Sequence, residues 1–465
     1  MVERTVSEWL IDQGHPSMMG KSVIVSPDCR RVAYMVEPVT VSSCFVVVDG
    51  QEGKHYDGVE KGSLVFSPNS QRVAYVARAG KKRFAVVDGQ EENQYDRIEE
   101  QSLVFSSDSR RVGYVTRAGK KRVAVLDEQE GKQYDRVAEG SLRFSPDSQR
   151  VAYVARAGNK QFVVVDGQEQ EQYDRIEKQS LVFSPDSQRM AYGARAGNKW
   201  FVVVNGQVDR QYDRIEGGSL VFSLDSQRVA YVAREAKKHF VVVDGQEQEQ
   251  YNEIGKWSLV FSRNSQRVAH AANAGGWNGK WRVVVDGQEG KHLDGDTDGV
   301  VSIIFSPDSQ RLAYEFSRCE GGAYVVVVDG QAQKEYDRVE GGLAFSPNSR
   351  RVAYVASQGW LPWSDHWFVV LDGREQELYN TIAIESLMFA PDSRRVAYVV
   401  WAATRRLGVV VHMRSLVVID GEEGSQYNAI PAPSGGGGII FDSPNQLHYI
   451  ARKGNAFYLV EERLA

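Results

Sequence analysis

Cysteine is scarce in this chain. Only Cys29, Cys44 and Cys319 occur among 465 residues, and their spacing matches no disulfide or metal motif. An odd count without a pattern argues against a disulfide framework and favours a reducing compartment. The first residues also lack the basic and apolar regions of a signal peptide, so we expect a cytoplasmic protein.

Long apolar runs, helical periodicity and an excess of basic charge are absent as well. No run approaches the roughly 18 apolar residues of a spanning helix, so we expect no membrane partner. The formal net charge is −5, which argues against nucleic acid as the main partner, because phosphate binding needs a strongly basic surface. Apolar residues recurring at helical spacing are nearly missing, which excludes a helical protein.

The chain has instead one unit that recurs almost throughout. The serine before its turn, Ser184 in the copy Ser180–Tyr192, recurs every 39 residues from Ser67 to Ser262 and at wider intervals elsewhere. We count eleven copies, which marks a repeat architecture. The copies start near residues 22, 63, 102, 141, 180, 219, 258, 302, 342, 386 and 438.

Each copy is predicted to form four strands. Strand a (Ser63–Ser67) ends at a Pro-Asp/Asn-Ser turn, and strand b (Arg72–Ala77) follows it. Strand c (Phe162–Val165) is an apolar β-branched run that ends at an Asp-Gly hairpin turn. We place strand d at Gln172–Ile176 and expect it to be outermost, because it is the most polar. Four short antiparallel strands at this period are typical of a propeller blade.

The run Phe-Ser-Pro-Asp-Ser-x-Arg-Val-Ala-Tyr resembles the repeat of TolB-type, WD-repeat-like bacterial propellers. The resemblance covers residues 20–465, and it implies the fold more than any activity. Proteins with this repeat include scaffolds, lectin-like binders and accessory domains of peptidases. The Trp-Asp dipeptide of eukaryotic WD repeats is replaced by Asp-Gly at the end of strand c.

The two ends of the chain complement each other. The last copy has strands a, b and c but no strand d, whereas residues 1–20 precede the first copy. The segment Thr5–Asp12 could be a strand or a short helix, and we predict that Val6–Ile11 supplies the missing strand d. The prediction is a single closed β-propeller over residues 1–465, with two smaller rings as the alternative.

Function is expected where the repeat breaks, because residues present in every blade cannot form one unique site. Blades 7 to 11 carry longer b–c and d–a loops, and in a propeller these loops share a face. Tryptophan is concentrated there, and exposed Trp and Arg often dominate protein interfaces. The predicted partner-binding residues are Trp277, Trp360, Trp363, His366, Trp401 and Arg405.

Other motifs carry weaker signals. Asp294, Asp296 and Asp298 resemble the first half of a calcium loop, but Phe305 stands where the final Glu is required. His270 replaces the tyrosine of strand b and is expected to be a core residue. No nucleophile, phosphate-loop, zinc or dinucleotide motif accompanies these residues, so we expect no cofactor.

The b–c loops of blades 2 to 6 also carry Lys and Arg, which gives a basic arc suited to an acidic protein partner. The sequence therefore predicts a non-enzymatic scaffold for protein–protein interaction. The alternative is a propeller that binds carbohydrate or another small ligand, through the same tryptophans or in the central channel. An enzyme is the third option.

Overall fold

The structure confirms the predicted all-β fold class. The computed structural model describes residues 4–19, 22–38, 43–275, 281–290, 297–318, 322–359, 366–406, 409–432 and 438–465, with backbone alone at 297–301, 318, 403–406 and 409–413. Its strands form eleven antiparallel sheets arranged as an eleven-bladed β-propeller, and the helix found in these ranges is limited to short turns such as Ile384–Ser386. Among these residues, no helix is long and apolar enough to cross a membrane.

Blades 2 to 6 contain the most regular copies, and blade 1 precedes them. Their strands are, in blade 1, Ile24–Val25, Val32–Val36, Phe45–Val48 and Gln51–Glu52; in blade 2, Gly58–Val59, Val65–Phe66, Val73–Ala79, Lys82–Val87 and Gln90–Glu91; in blade 3, Arg97–Ile98, Val104–Phe105, Val112–Ala118, Lys121–Leu126 and Gln129–Tyr134. Those of blade 4 are Arg136–Val137, Arg143–Phe144, Val151–Ala157, Lys160–Val165 and Gln168–Glu169; of blade 5, Arg175–Ile176, Val182–Phe183, Met190–Ala196, Lys199–Val204 and Gln207–Val208; of blade 6, Arg214–Ile215, Val221–Phe222, Val229–Glu235, Lys238–Val243 and Gln246–Glu247.

Blades 7 to 11 depart further from the template. Their strands are, in blade 7, Glu253–Ile254, Val260–Phe261, Val268–Asn273, Trp281–Val285 and Gln288–Glu289; in blade 8, Thr297–Phe305, Leu312–Arg318, Tyr324–Val328 and Gln331–Tyr336; in blade 9, Arg338–Val339, Ala344–Phe345, Val352–Gln358, His366–Leu371 and Arg374–Glu375. Those of blade 10 are Thr381–Ile382, Met388–Phe389, Val396–Arg406, Val409–Ile419 and Glu422–Glu423; of blade 11, Ile439–Ser443, Gln446–Lys453, Ala456–Leu464 and the N-terminal strand Arg4–Asp12.

The chain divides into two compact units. The first unit comprises residues 1–73 and 306–465, and the second comprises residues 74–305. Each is built from layers of buried apolar side chains between neighbouring blades. In the second unit, for example, Val163 of blade 4 and Leu181 of blade 5 share one core cluster with Tyr173 and Ile176. The β-branched runs of strand c are therefore buried on both sides, as the sequence predicted.

The N-terminal segment is a strand and completes the last blade, as predicted. Arg4–Asp12 pairs antiparallel with Ala456–Leu464, with Glu8 opposite Val460. Glu462 is fully buried and accepts hydrogen bonds from Tyr449 Oη at 2.7 Å and from Arg4 at 3.4 Å. The N-terminal strand therefore covers the edge of the last sheet and also supplies a hydrogen-bond donor to a buried carboxylate.

The predicted strand d was wrong in its second half. In blade 4, Tyr173 still bridges Gln161 of strand c, but Arg175–Ile176 pairs with Ala194 and Arg195 of blade 5. Strand a therefore consists of two short pieces on one strand b. In blade 5, a bulge between the pieces forms the d–a loop, and Ser180 Oγ closes it by donating to the Glu177 carbonyl at 2.8 Å. The period-2 pattern looks the same whichever neighbour a strand pairs with, so the sequence could not show this exchange.

Candidate functional site: the face of the b–c and d–a loops

The b–c loops and the d–a segments lie on the same face, as predicted. In blade 5, the Gly197 N–H of the b–c loop donates to Asp174 Oδ2 at 2.7 Å, and Asp174 opens the d–a segment. Lys199 Nζ, at the start of strand c, reaches Asp213 Oδ1 of the next d–a segment at 2.8 Å. The hydrogen bond from Lys199 lowers the pKa of Asp213, so the Asp213 carboxylate is ionised. We call this side the loop face.

The opposite face is taken up by repeated structural contacts. Asp186 N–H donates to Ser226 Oγ of the next blade at 2.9 Å, and Arg189 Nη1 donates to the Ser226 carbonyl at 2.9 Å. The guanidinium group of Arg189 also lies 5.1 Å from the centre of the Phe222 ring. These contacts confirm that the repeated Asp and Arg residues link turns and blades. The loop face is therefore the candidate binding face.

Several predicted site residues lie outside the described residues. These are Trp277, Trp360, Trp363, Asp294 and Asp296. Asp298, from the suggested calcium loop, lies in the extended strand Thr297–Phe305. Among the side chains that the structure describes, no group of three or more His, Cys, Asp or Glu could hold a metal ion.

The predicted residues that are described lie in blades 9 and 10. His366 begins strand c of blade 9 and is exposed, whereas the adjacent Trp367 is buried. Trp401 is 37% exposed and pairs with Ser415. Arg405 pairs through its backbone with Val410. In place of the long b–c loop predicted for blade 10, strands b and c are extended to 11 residues each, Val396–Arg406 and Val409–Ile419.

This extension has a local cause. The run Val396–Trp401 continues with Ala, Ala and Thr, and the facing run is the β-branched Val409–Val411, so no turn signal interrupts either side. Elsewhere a glycine at left-handed φ, such as Gly197 at +60°, ends strand b. Blade 10 therefore carries an antiparallel ribbon longer than the b–c hairpins of its described neighbours.

The sequence analysis did not single out Trp257. It is 60% exposed, which makes it the most exposed of the described tryptophans. It occupies the d–a loop of blade 7 with a left-handed φ of +63°. Gly62, Gly140 and Gly218 occupy the same position in blades 2, 4 and 6 and also have positive φ. A bulky residue in that conformation is strained, and such strain is often kept at binding sites. The signal was in the sequence, because a tryptophan stands at a repeat position that holds glycine in blades 2, 4 and 6 and glutamine in blades 3 and 5.

Trp257 forms one wall of a groove between blades 6 and 7. The groove has a volume of about 650 Å³, and its tryptophan ring lies over Gly218, where a Cβ atom would clash at 2.1 Å. His239 Nε2 lies 3.6 Å from Glu216 Oε1, and His239 Nδ1 donates to the Asn252 carbonyl at 2.9 Å. Glu216 raises the pKa of His239, and the histidine lowers the pKa of Glu216, which favours the charged pair.

Two of the described histidines, His270 and His448, are buried. His448 Nδ1 lies 2.7 Å from Asp442 of the same blade, and His448 Nε2 lies 2.8 Å from the Asp28 carbonyl of blade 1, so both ring nitrogens are engaged. His270 is a core residue, as expected. Its ring lies 6.2 Å from the Tyr251 ring, and burial lowers its pKa to about 4.

Comparisons with known proteins identify no family for this chain. No family model matches the chain, and no curated protein matches it. The crystal structure of a eukaryotic initiation factor aligns over 77% of this chain and 95% of its own, with 12% identity and a TM-score of 0.41. Dihydro-heme d1 dehydrogenase NirN in complex with DHE aligns over 70% and 76%, with 13% identity and a TM-score of 0.34. Likenesses this distant carry no argument about function, and the TolB-type resemblance stays a prediction.

Proposed function

We propose that this propeller is a non-enzymatic scaffold for protein–protein interaction. Its partner binds the loop face through the Trp-rich b–c and d–a loops of blades 7 to 11. The observation that carries the proposal is Trp401, an exposed aromatic side chain on the extended ribbon of blade 10. An exposed tryptophan on an extended two-stranded ribbon is a typical anchor for a protein partner.

Two further features support this class of function. The loop face varies between blades whereas the opposite face repeats the same contacts, as expected if one face is kept for the fold and the other for recognition. The thiol of Cys29 is buried, which raises its pKa to about 12 and makes it unreactive. Cys29 forms no disulfide bond with any described residue, which fits a scaffold in the reducing cytoplasm.

Cross-linking from the loop face tests the proposal. Trp401 is replaced by the photoreactive residue p-benzoylphenylalanine, which keeps an aromatic ring at that position. Irradiation of the native cells should then give one discrete higher-mass adduct, because the partner covers position 401. The matched control places the same residue at Leu224, which is 59% exposed in the a–b turn on the opposite face.

A carbohydrate-binding propeller remains the second candidate because of the Trp257 groove. A flat aromatic wall beside a carboxylate, an amide carbonyl and a histidine can hold the apolar face and the hydroxyl groups of a sugar. On a glycan array, this candidate predicts a bound sugar whose affinity falls by about 30-fold in Trp257→Ala, the loss typical of an aromatic hot spot. Glycan binding that Trp257→Ala leaves unchanged would rule out this groove.

A further inference from the structure

Blade 4 differs from its neighbours at two positions of the loop face. Arg143 stands in strand a where Val65, Val104, Val182, Val221 and Val260 stand in other blades. Ala138 stands in the d–a loop where blades 2, 3, 5 and 6 have Glu60, Glu99, Glu177 and Glu216. One change adds a positive charge and the other removes a negative charge. Among nearly identical copies, both changes alter the local charge in the same direction.

The missing carboxylate matters because its equivalents neutralise basic side chains. In blade 3, Glu99 forms an ion pair with Arg122, and in blade 6 Glu216 lies 3.6 Å from His239. In blade 4, the strand c position holds Gln161, whose Oε1 accepts the Ile176 N–H at 2.8 Å. The template pairing is therefore absent from blade 4.

The arginines around Ala138 are exposed and unpaired. Among the residues that the structure describes, the guanidinium groups of Arg136, Arg143 and Arg175 form no ion pair and no hydrogen bond. Their counterparts in other blades are paired: Arg97 lies 3.0 Å from Glu100, and Arg214 lies 3.4 Å from Glu216. Blades 4 and 5 therefore present free guanidinium groups at a place where other blades neutralise them.

These arginines line two adjoining grooves. One groove of about 570 Å³ runs between blades 4 and 5, and one of about 490 Å³ runs between blades 3 and 4. Arg136, Arg143 and Arg156 line both grooves. Two of the carboxylates that also line them are already paired: Asp135 lies 2.6 Å from Lys121, and Asp174 lies 2.7 Å from Lys160.

We infer that these two grooves bind an acidic peptide segment, rich in Asp and Glu, across blades 3 to 5. This inference rests on the proposed scaffold function and names the chemistry of the partner. Free guanidinium groups pair well with carboxylates, and two continuous grooves suit an extended chain. A nucleic acid is a poorer match, because the net charge of the chain is −5 and a long polyanion would extend beyond this local excess of arginine. Glu139 and Glu177 also line the first groove, but its five basic side chains outnumber its three carboxylates.

The repeat supplies variants that should keep the fold. Arg143→Val with Ala138→Glu returns blade 4 to the sequence of its neighbours. A fluorescent peptide of twelve alternating Glu and Gly residues is titrated in fluorescence anisotropy at low salt. The full-length protein should bind it, and the double variant should bind it about tenfold or more weakly, because two charges change at the site. The melting temperature of the double variant should not change.

The control, Gln168→Glu with Gln246→Glu, makes the same change in net charge at exposed positions of the c–d turns and should bind like the wild type. Equal binding by the double variant would overturn the inference, and so would no binding by the wild type. A twelve-nucleotide single strand that binds more tightly than the peptide would point to nucleic acid instead. If one of these results is obtained while the cross-link from position 401 still forms, the inference of an acidic segment is refuted. The proposed scaffold function would not be affected.

Discussion

Deleting residues 1–15 should lower the melting temperature by about 5 °C or more, since the deletion removes strand d of blade 11. The Ala456–Leu464 strand would keep Gln446–Lys453 on one side but lose Arg4–Asp12 on the other, and it would become a free edge. Phe457, Val460 and Leu464, now at most 5% exposed, would lose part of their cover. Glu462 would also lose Arg4, and a buried charge without its partner costs about 3–5 kcal/mol.

Circular dichroism or calorimetry measures this effect. Arg4→Ala, which removes the cation but keeps the strand, should give an intermediate loss of stability. Ser7→Ala is the matched control, because Ser7 is exposed and the backbone pairing of its strand does not change. A deletion variant that melts like the wild type would show that the N-terminal strand does not hold the propeller closed.

Replacing Glu315 by Val should stabilise the protein by about 3 kcal/mol at pH 8. Glu315 lies in strand b of blade 8 at the position of Val232 and Val355, and it is fully buried. Neither carboxylate oxygen has a hydrogen-bond partner among the described residues. Burial, with a smaller contribution from Glu340, raises the pKa of Glu315 from 4.5 to about 7.

The sign of the pH dependence follows from that raised pKa. Between about pH 4.5 and pH 7 the folded protein holds a proton that the unfolded chain has released, so stability falls as the pH rises through this window. The Glu315→Val variant should lack this fall in urea unfolding at pH 5 and pH 8. Glu377→Val, at an exposed position of blade 9, should change neither stability nor its pH dependence. A loss of stability in Glu315→Val at pH 8 would mean that the carboxylate has a stabilising role.

The fold could be predicted because each copy repeats the same local signals. The Ser-Pro-Asp-Ser turn, the β-branched strand c and the Asp-Gly turn at Asp166 recur at one period, and a missing strand at one end matches a spare segment at the other. Strand d was misplaced because Tyr173 and Ile176 are both buried, in the same cluster, although they pair with different blades. A burial pattern does not reveal which neighbour supplies the hydrogen bonds.

The candidate site was predicted less completely. Clustered tryptophans indicated the loop face but not that Trp401 lies on a ribbon, because strand length there depends on the absence of a turn residue. Trp257, Arg143 and Ala138 were visible as single departures from the repeat. Only the structure shows that Trp257 lies over Gly218 and that the arginines line common grooves.

The most direct test of the account compares cross-linking from position 401 with cross-linking from position 224 under the same irradiation. If the loop face is the binding face, position 401 gives a discrete protein adduct and position 224 gives none. Equal yields from both positions, or an adduct from position 224 alone, would contradict the assignment of binding to the loop face.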